Sequence, residues 1–224
     1  MCYSPEASFA ATGFLTLSGI YFASTRVITK RNLMLAAIPF IFATHQFSEG
    51  LIWLSFDQDP KPFYTMHIVW FYVIIAHLFW PIYIPVSIIQ HDRPSNNKFK
   101  YYFWLLFGVA ISTYLLWCMT INSDMVYAIA CDRYSIEYYF DVPYKDLTRI
   151  LFLLSVTMPF FISSNKKFKW VVGPAWAFTF IVAKIIAGNT TLPSIWCFFA
   201  AIISIIIFKT FETKGQISIS EKTI

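Results

Sequence analysis

Charge is scarce in this chain. Asp, Glu, Lys and Arg together make up 13% of its 224 residues, where a soluble domain carries about a quarter. So low a share excludes an ordinary water-soluble globule. A cleavable signal peptide is not expected. Residues 1–7 contain Glu6 and no base, the reverse of a signal n-region, and no small-x-small cleavage site follows. No apolar region precedes Cys2, so it does not read as a lipobox cysteine. There is no Cys-x-x-Cys-His, which excludes covalent c-type haem attachment. The excess of base, a net charge of +5, is spread in small clusters at the ends of apolar segments. It therefore gives no sign of nucleic-acid binding.

What fills the chain is hydrocarbon. Hydrophobic residues make up 58% of it, and the mean hydropathy is +0.59. A membrane helix needs about 20 mostly apolar residues to cross about 30 Å of hydrocarbon. Seven runs of that kind are read here, at about 7–25, 33–56, 63–90, 101–121, 147–164, 168–187 and 192–208. The third is long enough to tilt. The fifth is short, and Arg149 at its start must snorkel to the interface. The expectation is an all-α membrane protein: a seven-helix domain over residues 1–211 and a polar tail over 212–224.

Lys and Arg mark cytoplasmic loops. Arg26, Lys30 and Arg31 follow the first segment; Arg93, Lys98 and Lys100 follow the third. Lys166, Lys167 and Lys169 follow the fifth, and Lys209, Lys214 and Lys222 follow the seventh. Alternate loops carry Asp57 and Asp59, then Asp124, Asp132, Glu137, Asp141 and Asp146. The N-terminus is therefore expected outside and the C-terminus in the cytoplasm, in the multi-pass manner of a bacterial inner membrane protein. Trp53, Tyr64, Tyr101, Tyr102, Trp117, Trp170 and Trp196 fall near segment ends and read as an interfacial aromatic belt. In the long outer loop, residues 125–130 and 134–140 are rich in aromatic and β-branched side chains. They read either as a small β-hairpin over the outer mouth or as an irregular aromatic loop.

Ionisable groups inside hydrocarbon are costly, so each one in a segment is a functional hypothesis. The second segment holds His45, Gln46 and Glu49, with His45 and Glu49 four apart on one face. His77 is central in the third, at a depth similar to His45, and Lys184 nears the outer end of the sixth. Glu49, Gln46, His45, His77 and Lys184 are the candidate ligand- or proton-binding set. His45 and His77 also admit metal or b-type haem ligation, although nothing demands haem. The alternative for each is a polar staple between helices. A zinc hydrolase of the alkaline ceramidase kind would want a further histidine pair on the last helix, which has none. No catalytic constellation emerges, and nothing in the sequence signals oligomeric state.

Cys2, Cys118, Cys131 and Cys197 all fall on the expected outer side, as disulfides or as packed thiols. A weak three-one-three repeat, the plan of SWEET-type sugar transporters, is suggested by Pro39 and Pro174. Each is followed ten residues later by a charge, Glu49 and Lys184. The Pro-Gln pair typical of those transporters is absent.

The opening Met1-Cys2-Tyr3-Ser4-Pro5-Glu6-Ala7-Ser8 resembles a family of small, uncharacterised bacterial integral membrane proteins that begin Met-Cys-aromatic-Ser-x-x-Ala-Ser. Gln46-Phe47-Ser48-Glu49-Gly50-Leu51-Ile52-Trp53 is similar to that family's second helix, and Ser194 to Ala201 to its last. His45 stands where that family usually has glutamine. The resemblance draws attention to Cys2, Gln46, Glu49, Trp53 and Cys197 and implies no activity. Taken together, the expected function is a polytopic membrane protein whose polar pocket binds or translocates a small solute or proton. The alternatives are a membrane-embedded haem, metal or redox sensor, and a structural subunit without a ligand.

Overall fold

The computed structural model describes residues 4–56, 58, 62–94, 97–121, 126–131, 135–187, 196 and 199–212. Among these, helix dominates. The helices are α1 (Pro5–Thr25), α2 (Leu33–Phe56), α3 (Tyr64–Asp92), α4 (Lys98–Ile121), α5 (Lys145–Ile162), α6 (Phe168–Val172 continuing as Gly173–Ala187) and α7 (Ala200–Lys209). An antiparallel pair, β1 (Tyr127–Cys131) and β2 (Ser135–Tyr139), forms the hairpin between α4 and α5.

Four of these helices, α1, α3, α4 and α6, are long and apolar enough to cross a membrane. α2 has 24 residues, but His45, Gln46, Ser48 and Glu49 dilute its apolar run. α5 carries Lys145, Asp146 and Arg149 in its first turns. Residues 192–195, 197 and 198 of the seventh expected segment lie outside the described residues, as does the tail from 213.

Local chemistry sets the ends. Ser4 caps α1, its Oγ accepting from the Ala7 N–H at 3.2 Å, with Pro5 in the first turn. Arg93, left-handed at φ 44°, closes α3. α1 and α2 pack through reciprocal notches: the ring of Phe40 fills the space a side chain would need at Gly19, and the ring of Phe9 does so at Gly50. Small residues at helix crossings serve this purpose in apolar surroundings, where close van der Waals contact replaces the hydrophobic drive.

α3 departs from regularity at its middle. Pro81 lacks the N–H that would bond the His77 carbonyl, and its ring crowds that carbonyl. Just upstream, Ile75–Phe79 widens into a π-turn. α4 braces this stretch: Ser112 Oγ donates to the Leu78 carbonyl at 2.8 Å. A side chain at Gly108 would collide with the Pro81 carbonyl.

Two polar knots tie helix ends together. Arg26 Nη1 donates to the Phe211 carbonyl at 3.3 Å and the Val27 N–H to the Glu212 carbonyl at 2.9 Å, so the ends of α1 and α7 meet. Asp92, at the end of α3, accepts from Tyr101 Oη at 2.9 Å, from Ser163 Oγ at 3.1 Å and from the Ser164 N–H at 2.7 Å. That joins the end of α3, the start of α4 and the end of α5.

The hairpin shows the period of two expected of a half-covered sheet. Ala128, Ile136 and Tyr138 are buried against the bundle, while Tyr127 and Ile129 are exposed. Tyr127 and Tyr139 are cross-strand partners and stack at 5.1 Å.

Of the expected belt, Tyr64, Tyr102, Trp117 and Trp170 are exposed. Tyr101 and Trp196 are buried. Tyr101 turns inward because Asp92 accepts its hydroxyl proton. Trp196 turns inward because its Nε1 donates to Thr179 Oγ1 at 3.3 Å, and Trp176 and Phe180 pack against its ring.

Candidate functional site

A cavity of about 450 Å³ lies beneath the hairpin. α3 contributes Ala76, His77 and Trp80, and α4 contributes Leu115. Tyr138, Tyr139, Phe140 and Val142 close it from the hairpin and the segment after it. Lys145, Asp146, Thr148, Arg149 and Phe152 of α5, Phe180 of α6, Trp196, and His45 of α2 complete the lining.

His45 reaches the cavity because Thr44 and Phe47 take the outer face of α2 and leave His45 turned inward, where it is fully buried. A carbonyl can only accept, so Nε2 of His45 carries the proton that it donates to the Tyr72 carbonyl at 3.1 Å. The His45 ring also stacks on the Tyr72 ring at 3.8 Å, and Tyr72 stacks on Tyr138 at 4.1 Å. One column of three rings thus runs from α2 through α3 to the hairpin.

His77 sits within the π-turn. Its Nδ1 donates to the Val73 carbonyl at 3.3 Å, which leaves the lone pair on Nε2. Its ring meets Phe140 edge-on at 4.9 Å and lies 6.2 Å from Phe152. The floor is Trp80, stacked on Phe42 at 4.6 Å and edge-on to Trp176 at 6.1 Å. The mouth is charged. Arg149 Nη1 lies 3.2 Å from Asp146 Oδ1, and Lys145 Nζ lies 3.5 Å from Asp141 Oδ1.

The residues singled out in the sequence separate into groups. His45 and His77 line the same cavity. Gln46 and Glu49 are both fully buried, and Gln46 Nε2 donates to Glu49 Oε2 at 3.1 Å, but neither lines it. Lys184 is exposed on α6 and does not line it. Cys118 is buried as a free thiol. Cys2 and Cys197 lie outside the described residues, and of Cys131 only the backbone, in β1, is described. Among the described residues, no group of three or more His, Cys, Asp or Glu side chains assembles.

The sequence reading passed over Lys145, Asp146 and Arg149 as lining residues, together with the aromatic walls. Three charges within five residues opening an apolar helix were the available signal for the mouth. The walls had none, since Phe and Trp are common on every face of such helices.

A family model described as Family of unknown function (DUF6629) matches residues 1–221, in keeping with the resemblance to an uncharacterised family. No curated protein and no solved structure matches the chain.

Proposed function

We propose that this chain, which belongs to the Family of unknown function (DUF6629), is a seven-span membrane protein whose helices enclose a binding pocket for a small, largely apolar molecule. The single observation that carries this is the cavity under the hairpin. At about 450 Å³ it falls within the roughly 300–1,000 Å³ of small-molecule sites, and like them it combines apolar walls with a few convergent polar groups. His77 sits in a π-turn, a departure from helix geometry that recurs at functional sites.

The spanning arrangement has its own support. The ends of α1 and α7 meet, as do the ends of α3 and α5 and the start of α4. Alternating spans require these ends on one side, and they are the base-rich ends. The hairpin and the cavity mouth then face outward. Reporter fusions after residues 31, 96 and 167 are expected to report cytoplasm, and fusions near 58 and 135 the exterior. Reversal at any two of these sites would overturn the topology.

Within this reading the cavity is the ligand site. Glu49 with Gln46 forms a second buried polar centre, the candidate for a proton-linked step if the pocket serves translocation. Bis-histidine haem ligation fits less well. Nε2 of His45 is committed to the Tyr72 carbonyl, and one ring face is covered by Tyr72.

The pocket is tested by filling it. A thermal-shift screen of neutral, cationic and anionic small molecules against the purified protein is expected to yield stabilising compounds. Ala76→Leu and Leu115→Trp, which place bulk in the cavity, are expected to remove those shifts. A screen without a single stabilising compound, or shifts that survive both variants, would sink the pocket.

A further inference from the structure

We infer that the occupant is an uncharged phenol, its ring among the aromatic walls and its hydroxyl donating to Nε2 of His77. This rests on the cavity being a binding pocket, as proposed above, and names the class of molecule it takes.

The charges at the mouth satisfy one another. Lys145 Nζ lies 3.5 Å from Asp141 Oδ1, and Arg149 Nη1 lies 3.2 Å from Asp146 Oδ1. Each base thus has its own carboxylate. Among the described residues, the rest of the lining holds no Asp, Glu, Lys or Arg. A charged ligand would carry its charge in among rings and aliphatic side chains without a counter-ion, and an unpaired buried charge is costly. An uncharged molecule incurs no such cost and leaves both ion pairs intact.

The polar groups of the wall set what that molecule carries. Several wall donors are spent within the protein. His45 Nε2–H is on the Tyr72 carbonyl, and Trp196 Nε1–H is on Thr179 Oγ1. The Thr148 hydroxyl is on the Pro143 carbonyl, and that of Tyr139 is on Glu137. His77 differs. Its Nδ1–H is on the Val73 carbonyl of its own helix at 3.3 Å, so Nε2, on the far side of the ring, keeps a lone pair. The ring that bears this lone pair lines the cavity. Its complement is a donor, and a hydroxyl supplies one without charge.

The surroundings of His77 select for an aromatic ring behind that hydroxyl. Phe140 meets the His77 ring edge-on at 4.9 Å, and Phe152 lies 6.2 Å from it. A ring bonded to the hydroxyl lies within reach of both, with Trp80 as the floor. Offset or edge-on contact between rings adds to what apolar area alone supplies. A phenol titrates at about pH 10, so it enters uncharged at neutral pH with its proton in place.

The test is calorimetry on the full chain in nanodiscs, with empty nanodiscs as the blank. The probe is 4-propylphenol. Its comparators are 4-propylanisole, which lacks the donor, 4-propylcyclohexanol, which lacks the aromatic ring, and tyramine and 4-hydroxyphenylacetate, which add a positive and a negative charge. 4-Propylphenol is expected to bind saturably. The anisole and the two charged phenols are expected to bind about tenfold more weakly or worse, and the cyclohexanol about threefold more weakly. His77→Phe is expected to bring the phenol down to the level of the anisole and leave the anisole unchanged. A merely structural role for His77 would weaken both alike. Phe152→Leu is expected to reduce the preference for the phenol over the cyclohexanol, which keeps the test open if His77→Phe fails to fold. Equal binding of phenol and anisole overturns the hydrogen bond to His77. Equal binding of the cyclohexanol overturns the aromatic ring, and equal binding of either charged phenol overturns the uncharged ligand. All three results leave the pocket standing. If none of the five binds while other compounds in the screen do, the phenol falls alone. If nothing in the screen binds, the pocket falls with it.

Discussion

Gly108→Val is expected to yield almost no folded protein. α4 crosses α3 with Gly108 backed onto the Pro81 carbonyl, and any side chain there would occupy the space of that oxygen. The obstacle is backbone, which cannot swing aside as a side-chain tip can. Overpacking costs about 1–3 kcal/mol, and more where nothing can give, a large part of the stability of a small protein. The consequence reaches the site, since Ser112, one turn further along α4, holds the carbonyl of Leu78 in the π-turn that carries His77. Size-exclusion profiles and thermal unfolding of the purified protein provide the measurement. Gly13→Ala is the control, because nothing lies within 4 Å of the position its new methyl would take. A Gly108→Val protein that elutes and melts like the parent would refute the close crossing.

Asp92→Ala is expected to destabilise by about 3 kcal/mol, the sum of charge-assisted bonds lost and buried donors left unmet. Tyr101 and Ser163 are buried, and both give their hydroxyl protons to Asp92. Removing the acceptor strands both donors. Adding Tyr101→Phe to Asp92→Ala removes one stranded donor, so the double variant is expected to recover part of the loss. Thermal melts of the single and double variants measure the coupling. Additive losses in the two variants would mean that the carboxylate and the phenol do not interact.

The helix extents were legible because polar and charged residues bound each apolar run. Residues 33–56 were expected to form one helix, and α2 is Leu33–Phe56. The aromatic flanks of the long outer loop were read as a hairpin or an irregular loop, and they pair as strands. Rotation about each helix axis was not legible. A soluble helix reveals its inner face by a stripe of apolar residues, but in α2 and α3 apolar residues occupy every face. His45 and Glu49 are four apart, yet His45 lines the cavity beside Tyr72 while Glu49 bonds to Gln46. Lys184 was a candidate because it is a charge in an apolar run, and its exposure on α6 depends on a rotation that composition does not encode. Asp92 escaped notice for the opposite reason. It falls just past the third apolar run, among polar residues where a carboxylate is ordinary, and its role depends on Ser163 and Ser164, some seventy positions away.

The π-turn at Ile75–Phe79 has a consequence for how related chains should be compared. A π-turn holds one residue more than the α-turn it replaces. It therefore behaves as a single insertion that the helix has absorbed. A chain lacking that residue would keep both ends of the helix in place and on the same faces, with a regular α-turn where this one widens. In an alignment the difference would appear as a one-position gap between residues 74 and 80. In the molecule it would exchange His77 for a neighbouring side chain at the cavity wall. The length of this stretch, counted to the residue, would then divide chains that share the pocket's chemistry from chains that share only its frame.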